Sequence, residues 1–199
     1  MLADYGPPTS RPPEEPIRFL FFGHIRRYKR LDILIEAFQR LRAAGTAPIE
    51  LHIAGACDEW GRYQDMIGAD SNIITRVEFI PTVDIPSLFG SCHYVVLPYQ
   101  DIAQSAVLPL AFQYGKPVIV SDIEGLRQSV VDGKTGFFFQ TESVDHLSAV
   151  MGDVIAGHRS RYAGMQECIR QLVAREYSLD AIVTKYRAFI DDTVEFRRA

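Results

Sequence analysis

Arg26, Arg27 and Lys29 lie within four residues, just after Gly23 and His24 and just before a helical pattern that begins at Arg30 and Leu31. Cations at a helix start oppose the helix dipole, and an anionic ligand would relieve that conflict. The helix start also offers unpaired backbone N–H groups, so this corner suits a phosphate-bearing ligand. Lys29 reads as an exposed loop lysine. A second corner of the same kind forms at Ser105, which opens another helical pattern with the N–H groups of Ala106 and Val107. Two helix starts facing each other across one crevice suit a diphosphate better than a single phosphate. The first corner carries neither the Gly-x-Gly-x-x-Gly dinucleotide fingerprint nor a P-loop.

These residues need strands that end beside them. Apolar runs predict strands at Ile17–Phe22, Ile49–Ala54, 77–80, Tyr94–Leu97, 117–121 and Gly136–Phe139. Between them, helical spacing predicts helices over 30–44, 62–68, 84–90 and 105–114, and from Val144 onward nearly everything reads as helix. Strands alternating with helices imply an α/β fold: a doubly wound, mostly parallel, Rossmann-like sheet of about six strands with a helical C-terminal segment. The loops after the first five strands would then share one edge of the sheet, where open α/β sheets bind ligands. Residues 1–16, with five prolines, read as a linker or ragged start. Residues 17–178 form the Rossmann-like domain and 179–199 a last helix.

At 199 residues, 47 % hydrophobic and 23 % charged, the chain is long enough to bury a full core. A net charge of −4 argues against a nucleic-acid partner. The three cysteines, Cys57, Cys92 and Cys168, lack metal-ligand spacing, so neither a metal nor a disulfide framework is expected and a reducing cytoplasmic setting fits. No apolar run reaches the ~18 residues of a membrane span. His52 and His93, in or beside strands, read as structural.

The runs FLFFGHIRRYKRLDILIEAF, LHIAG, VEFIP, VVLPY and QSAVLPLAFQYGKPVIVSDIEGLRQSVVDGKTGFFF, in this order, resemble the C-terminal half of family-4 retaining glycosyltransferases, enzymes of the GT-B fold. The resemblance covers about residues 17–156. It implies a domain that binds a nucleotide-diphosphate sugar as donor substrate, with no separate cofactor. An N-terminal acceptor-binding domain would be missing from this chain, and any peripheral membrane contact would fall to that domain. By position, the family's glycine turn falls on Gly23 and its phosphate-binding lysine on Lys29. Its arginine corresponds to His24, with Arg26 as the substitute, so Arg26 and Lys29 carry the catalytic role. The base and ribose would meet Pro81 and Thr82 and the stretch holding Asp101, Gln104, Ser105, Ala106 and Val107.

Besides His24, further positions depart from the family's pattern, and Gln128 stands where a glutamate is common. The family's glycine after the lysine is Arg30 here, and its two glutamates, the second of which holds the ribose, fall on Ile102 and Leu110. Neither side chain can accept a hydrogen bond from a ribose diol, which leaves Asp101 or Gln104 as replacements. Two readings therefore stay open beside each other: the donor-binding half of a hexosyltransferase, and a degenerate glycosyltransferase-like module that binds without catalysis. A nicotinamide oxidoreductase is disfavoured by the absent fingerprint.

Overall fold

The structure is a computed structural model, and it describes residues 5–45, 47–177 and Val183. Six parallel strands, β1 (Ile17–Phe22), β2 (Ile49–Ala54), β3 (Ile73–Arg76), β4 (Tyr94–Leu97), β5 (Val118–Ser121) and β6 (Gly136–Phe139), form one sheet in the order β3-β2-β1-β4-β5-β6. This is the doubly wound α/β sheet expected from the sequence. The central strands are apolar on both faces because helices cover both: β4 and β5 are buried at every residue.

The helices are α1 (Leu31–Ala43), α2 (Trp60–Ile67), α3 (Ile85–Ser91), α4 (Val107–Gln113), α5 (Glu124–Arg127), α6 (Val144–Ala156) and α7 (His158–Glu176). From β1 the chain moves one way along the sheet and from β4 the other. With right-handed crossovers, α1 and α4 therefore lie on opposite faces. α1 packs against α2 and α6, and α4 against α7. On α1 the apolar residues Leu31, Leu34, Ile35, Phe38 and Leu41 are buried, as their helical spacing requires. The expected last helix over 179–199 lies, apart from Val183, outside the described residues.

The third strand differs from the expected one. It occupies Ile73–Arg76 instead of 77–80. Its partner β2 ends at Ala54, the Gly55 N–H donates to the Arg76 carbonyl (3.0 Å), and the β2 chain then turns away at Gly55, φ +150°. Residues beyond Arg76 thus have no neighbouring strand to bond, however strand-like Val77–Glu78–Phe79–Ile80 reads. Phe79 is 79 % exposed.

The proline-rich start has no helix or strand among residues 5–16, yet it is docked on the domain. The Tyr114 hydroxyl donates to the Gly6 carbonyl (3.1 Å), Ser10 Oγ donates to the Ser87 carbonyl (2.7 Å), and His93 Nε2 lies 3.0 Å from the Pro13 carbonyl. His93 Nδ1 accepts from the Arg18 N–H at 2.9 Å, which leaves Nε2 as the donor to Pro13. Burial depresses the ring's pKa to about 4, so His93 is a neutral structural residue.

Candidate functional site

The point where a doubly wound sheet reverses its winding lies between β1 and β4, and ligands bind there beyond the carboxyl ends of the strands. The loop after β1 is bonded to both neighbours. On the β2 side, Gly23 N–H donates to the Ala54 carbonyl (2.9 Å) and Ile25 N–H to the Ala56 carbonyl (2.8 Å). On the β4 side, Gln100 N–H donates to the Tyr28 carbonyl (2.7 Å). Two glycines make this possible. Gly23 has φ +98°, and a Cβ on Gly55 would lie 2.2 Å from the Gly23 carbonyl oxygen.

Residues Arg27–Lys29 form one 3-10 turn, and Arg30 joins it to α1 in the left-handed conformation, φ 48° and ψ 46°. This reversal sends the Lys29 side chain back over the strand end. Its Nζ lies 3.4 Å from where a Gly23 Cβ would stand, and 5.5 Å from the centroid of the Tyr99 ring. Lys29 is 8 % exposed, so the expected exposed loop lysine is a buried one. Burial, with the nearby Arg26 charge adding to it, lowers its pKa to about 8.

The other cations of the loop are matched by carboxylates. Arg26 Nη1 donates to Asp58 (2.7 Å), and His24 Nε2 lies 3.7 Å from the same oxygen. Arg27 forms a two-point contact with Glu59 (2.8 and 3.0 Å). Arg30 holds Asp32 and Glu142. Lys29 forms no ion pair among the described residues. A buried ammonium without a counter-charge is unfavourable, and an anionic ligand is what would offset it. Asp58, Glu59 and Glu142 were not picked out from the sequence, because ion pairs between residues 32 to 112 positions apart leave no local spacing signal.

The β4 side supplies the opposite wall. Ser105 Oγ accepts from the N–H groups of Val107 (3.3 Å) and Leu108 (3.4 Å), so the serine caps α4. The Val107 N–H, expected to be free, is occupied in this way. The Tyr99 hydroxyl neighbours Ser105 but, among the described residues, has no hydrogen-bond partner of ordinary geometry, and burial raises its pKa. Asp101, Gln104 and Ala106 are exposed on this loop. Ile102 packs partly buried, its carbonyl oxygen 1.9 Å from where a Cβ on Gly125 would stand, and Leu110 is a core residue at 7 % exposure. Pro81 and Thr82 are exposed two strands away, beyond β3, and no hydrogen bond ties them to the Lys29 turn among the described residues.

The structure thus brings Gly23, Lys29, Tyr99 and the Ser105 wall together, with Arg26 and His24 on the β2 side. Among the described residues no group of three His, Cys, Asp or Glu side chains could hold a metal ion, and no helix is long and apolar enough to cross a membrane. A cavity of about 230 Å³ sits between the loops after β1 and β2, lined by Arg26, Arg27, Cys57, Asp58 and Glu59. The larger concavity, about 930 Å³, lies at the other end of the sheet beside Ile17, Pro48, His158 and Tyr162 and contains none of these residues.

Known proteins share both the sequence pattern and this architecture. A D-inositol 3-phosphate glycosyltransferase of Geodermatophilus obscurus is 25 % identical over 189 residues, which is 90 % of this chain and 42 % of that protein. A glycogen synthase of Thermus thermophilus is 24 % identical over 170 residues, 84 % of this chain and 37 % of that one. The chain therefore spans under half the length of these relatives. Among solved structures, a glycosyltransferase of Rickettsia africae superposes with a TM-score of 0.78 at 17 % identity, covering 92 % of this chain and 49 % of that one. The C-terminal domain of a glycosyl transferase group 1 family protein of Francisella tularensis gives 0.68 at 20 % identity, covering 85 % and 89 %. The family described as "Glycosyl transferases group 1" matches residues 16–156, and the chain belongs to it.

Proposed function

We propose that this chain is the donor-binding half of a retaining glycosyltransferase, with a nucleoside-diphosphate sugar lying across the β1/β4 boundary. The observation that carries this reading is Lys29, a buried cation with no carboxylate partner among the described residues, aimed at the strand end where the sheet reverses its winding. Transfer breaks the bond between the sugar's anomeric carbon and the diphosphate, and the departing diphosphate takes the electron pair. A cation at that oxygen gains more in the transition state than in the ground state, so Lys29 acts as an electrostatic catalyst. Arg26 takes the same role from the β2 side once a phosphate competes for it with Asp58. Gly23 lets the phosphates approach the backbone, while His24, Asp101, Gln104, Ser105, Ala106 and Val107 border the donor. Pro81 and Thr82 form its outer edge.

Solved relatives of this fold support a nucleotide ligand. An Anabaena protein was crystallised with UDP and glucose, at a TM-score of 0.73, and an Arabidopsis thaliana starch synthase with ADP and acarbose, at 0.69. The acceptor would be held by a second domain facing this one across a cleft. Both walls of a cleft are needed to exclude water and orient the acceptor, so the 199-residue chain alone should transfer no sugar.

A second reading, a binding module without catalysis, is favoured by one observation: Leu110, where the family's ribose-holding glutamate would fall, is built into the core. Titration with uridine, guanosine and adenosine diphosphates, followed by a transfer assay in a chain with an acceptor domain, separates the two. Nucleotide binding with transfer supports the first reading, and binding without transfer the second.

A further inference from the structure

Among the described residues, two non-glycine side chains sit on backbone with positive φ: Arg30 at 48° and Glu142 at 62°. They are 112 positions apart in sequence, and they form an ion pair with each other. Left-handed backbone disfavours any residue with a Cβ, and such conformations persist where surrounding structure holds them. Here the two strained positions are the two ends of one contact.

The location of the pair gives it a consequence. Arg30 is the last link of the turn that aims Lys29: its N–H donates to the Arg27 carbonyl (3.1 Å), and its own carbonyl accepts from Ile33 N–H (3.2 Å) at the start of α1. Its guanidinium is clasped by Asp32 on α1, with Nε and Nη2 each 3.1 Å from a carboxylate oxygen. Glu142, in the turn between β6 and α6, provides the remaining contact. α6 is fastened to α1 again by the pair Arg40–Asp145. Glycine would adopt the Arg30 conformation without strain but would supply no side chain to reach β6.

We propose that Glu142 is a positioning residue that acts through Arg30, fixing the Arg27–Lys29 turn so that the Lys29 ammonium stays aimed at the phosphate site. The proposal rests on the diphosphate reading of that site, and the test below keeps the two apart.

The variants are Glu142→Gln, Arg30→Gly and the double substitution. Two quantities are measured: uridine, guanosine or adenosine diphosphate affinity by calorimetry, and backbone amide exchange at Lys29 and Arg30, whose N–H groups bond the Arg26 and Arg27 carbonyls. Glu142→Gln should speed exchange at these two amides with the global unfolding midpoint nearly unchanged. It should weaken diphosphate binding about two- to fivefold, the scale of one half-exposed ion pair. The double variant should bind no worse than Arg30→Gly alone, since both remove the same contact. Unchanged exchange at Lys29 and Arg30 would overturn the proposal. So would a gain in affinity on Glu142→Gln, which would make Arg30 a ligand group held back by Glu142. Wild-type protein that binds no diphosphate would reject the reading of the site, and the exchange comparison would still decide whether Glu142 holds the turn.

Discussion

The Lys29 ammonium stands 5.5 Å from the centroid of the Tyr99 ring, and the Tyr99 ring in turn meets Tyr28 edge-on at 6.1 Å. Strand β1's loop and strand β4's loop thus meet through a cation and an aromatic face, reinforced by the Gln100-to-Tyr28 backbone bond. In a desolvated site the ring's negative face is a favourable partner for the Lys29 charge.

That relationship makes Tyr99 separable into ring and hydroxyl. Tyr99→Leu removes the ring and should weaken nucleoside-diphosphate binding by about 0.5–2 kcal/mol. Tyr99→Phe keeps the ring and should bind as wild type. Because the buried Tyr99 hydroxyl has only the neighbouring Ser105 side chain to meet, and not at ordinary hydrogen-bond geometry, the Phe variant should lose little or no stability. Calorimetry and urea unfolding of both variants check these outcomes.

The titration of Lys29 has a definite sign. An unfolded lysine keeps its proton up to its ordinary value of 10.5, whereas buried Lys29 releases it near 8. Between these values the unfolded chain holds more protons at this residue, so Lys29 should contribute a gain in stability of the ligand-free domain as pH rises from 8 toward 10.5. Lys29→Met should remove that contribution and leave those of Lys116, also depressed by burial, and of Cys92, raised by burial to about 11 and of opposite sign. Diphosphate affinity should run the other way, beginning to fall between pH 7 and 8 and falling more steeply above 8 as the amine loses its charge. Thermal unfolding and calorimetry across this range measure both limbs.

Gly55→Ala tests the joint between the first two loops. The added Cβ meets the Gly23 carbonyl at 2.2 Å on a backbone with φ +150°, and neither neighbour is a flexible side-chain end. A loss of roughly 2–4 kcal/mol is expected in denaturant unfolding.

Most of the sheet was legible because β1, β2, β4 and β6 are apolar runs closed by glycine or proline or followed by turns, and their ends coincide with the expected ones. The edge strand β3 was not: Ile74 and Thr75 face solvent, so Ile73–Arg76 shows no apolar run, while Val77–Ile80 shows one without a partner strand. At the site, the positions of Gly23 and Lys29 beside the strand end could be read from the loop's length and its following helix. The burial of Lys29 could not, because it depends on Tyr99 arriving from another strand. Nor could the carboxylates that neutralise Arg26 and Arg27, which come from the loop after β2.

Restoring the glutamate at position 110 should not restore a ribose contact. Leu110 is 7 % exposed and packs into the core beneath α4. Leu110→Glu is expected to cost about 2–4 kcal/mol of stability, with no gain in affinity for a nucleoside. Unfolding curves and nucleoside titration of this variant check both halves.

Calorimetric titration of Lys29→Ala against wild type, with uridine, guanosine and adenosine diphosphates and their nucleosides as ligands, tests the proposal that Lys29 is held uncompensated for a diphosphate. The expected result is a loss of roughly 1.5–3 kcal/mol for the diphosphate that wild type binds, the scale of a lost charge-assisted hydrogen bond, with nucleoside binding unchanged. Equal losses for diphosphate and nucleoside, or no loss for either, would contradict it.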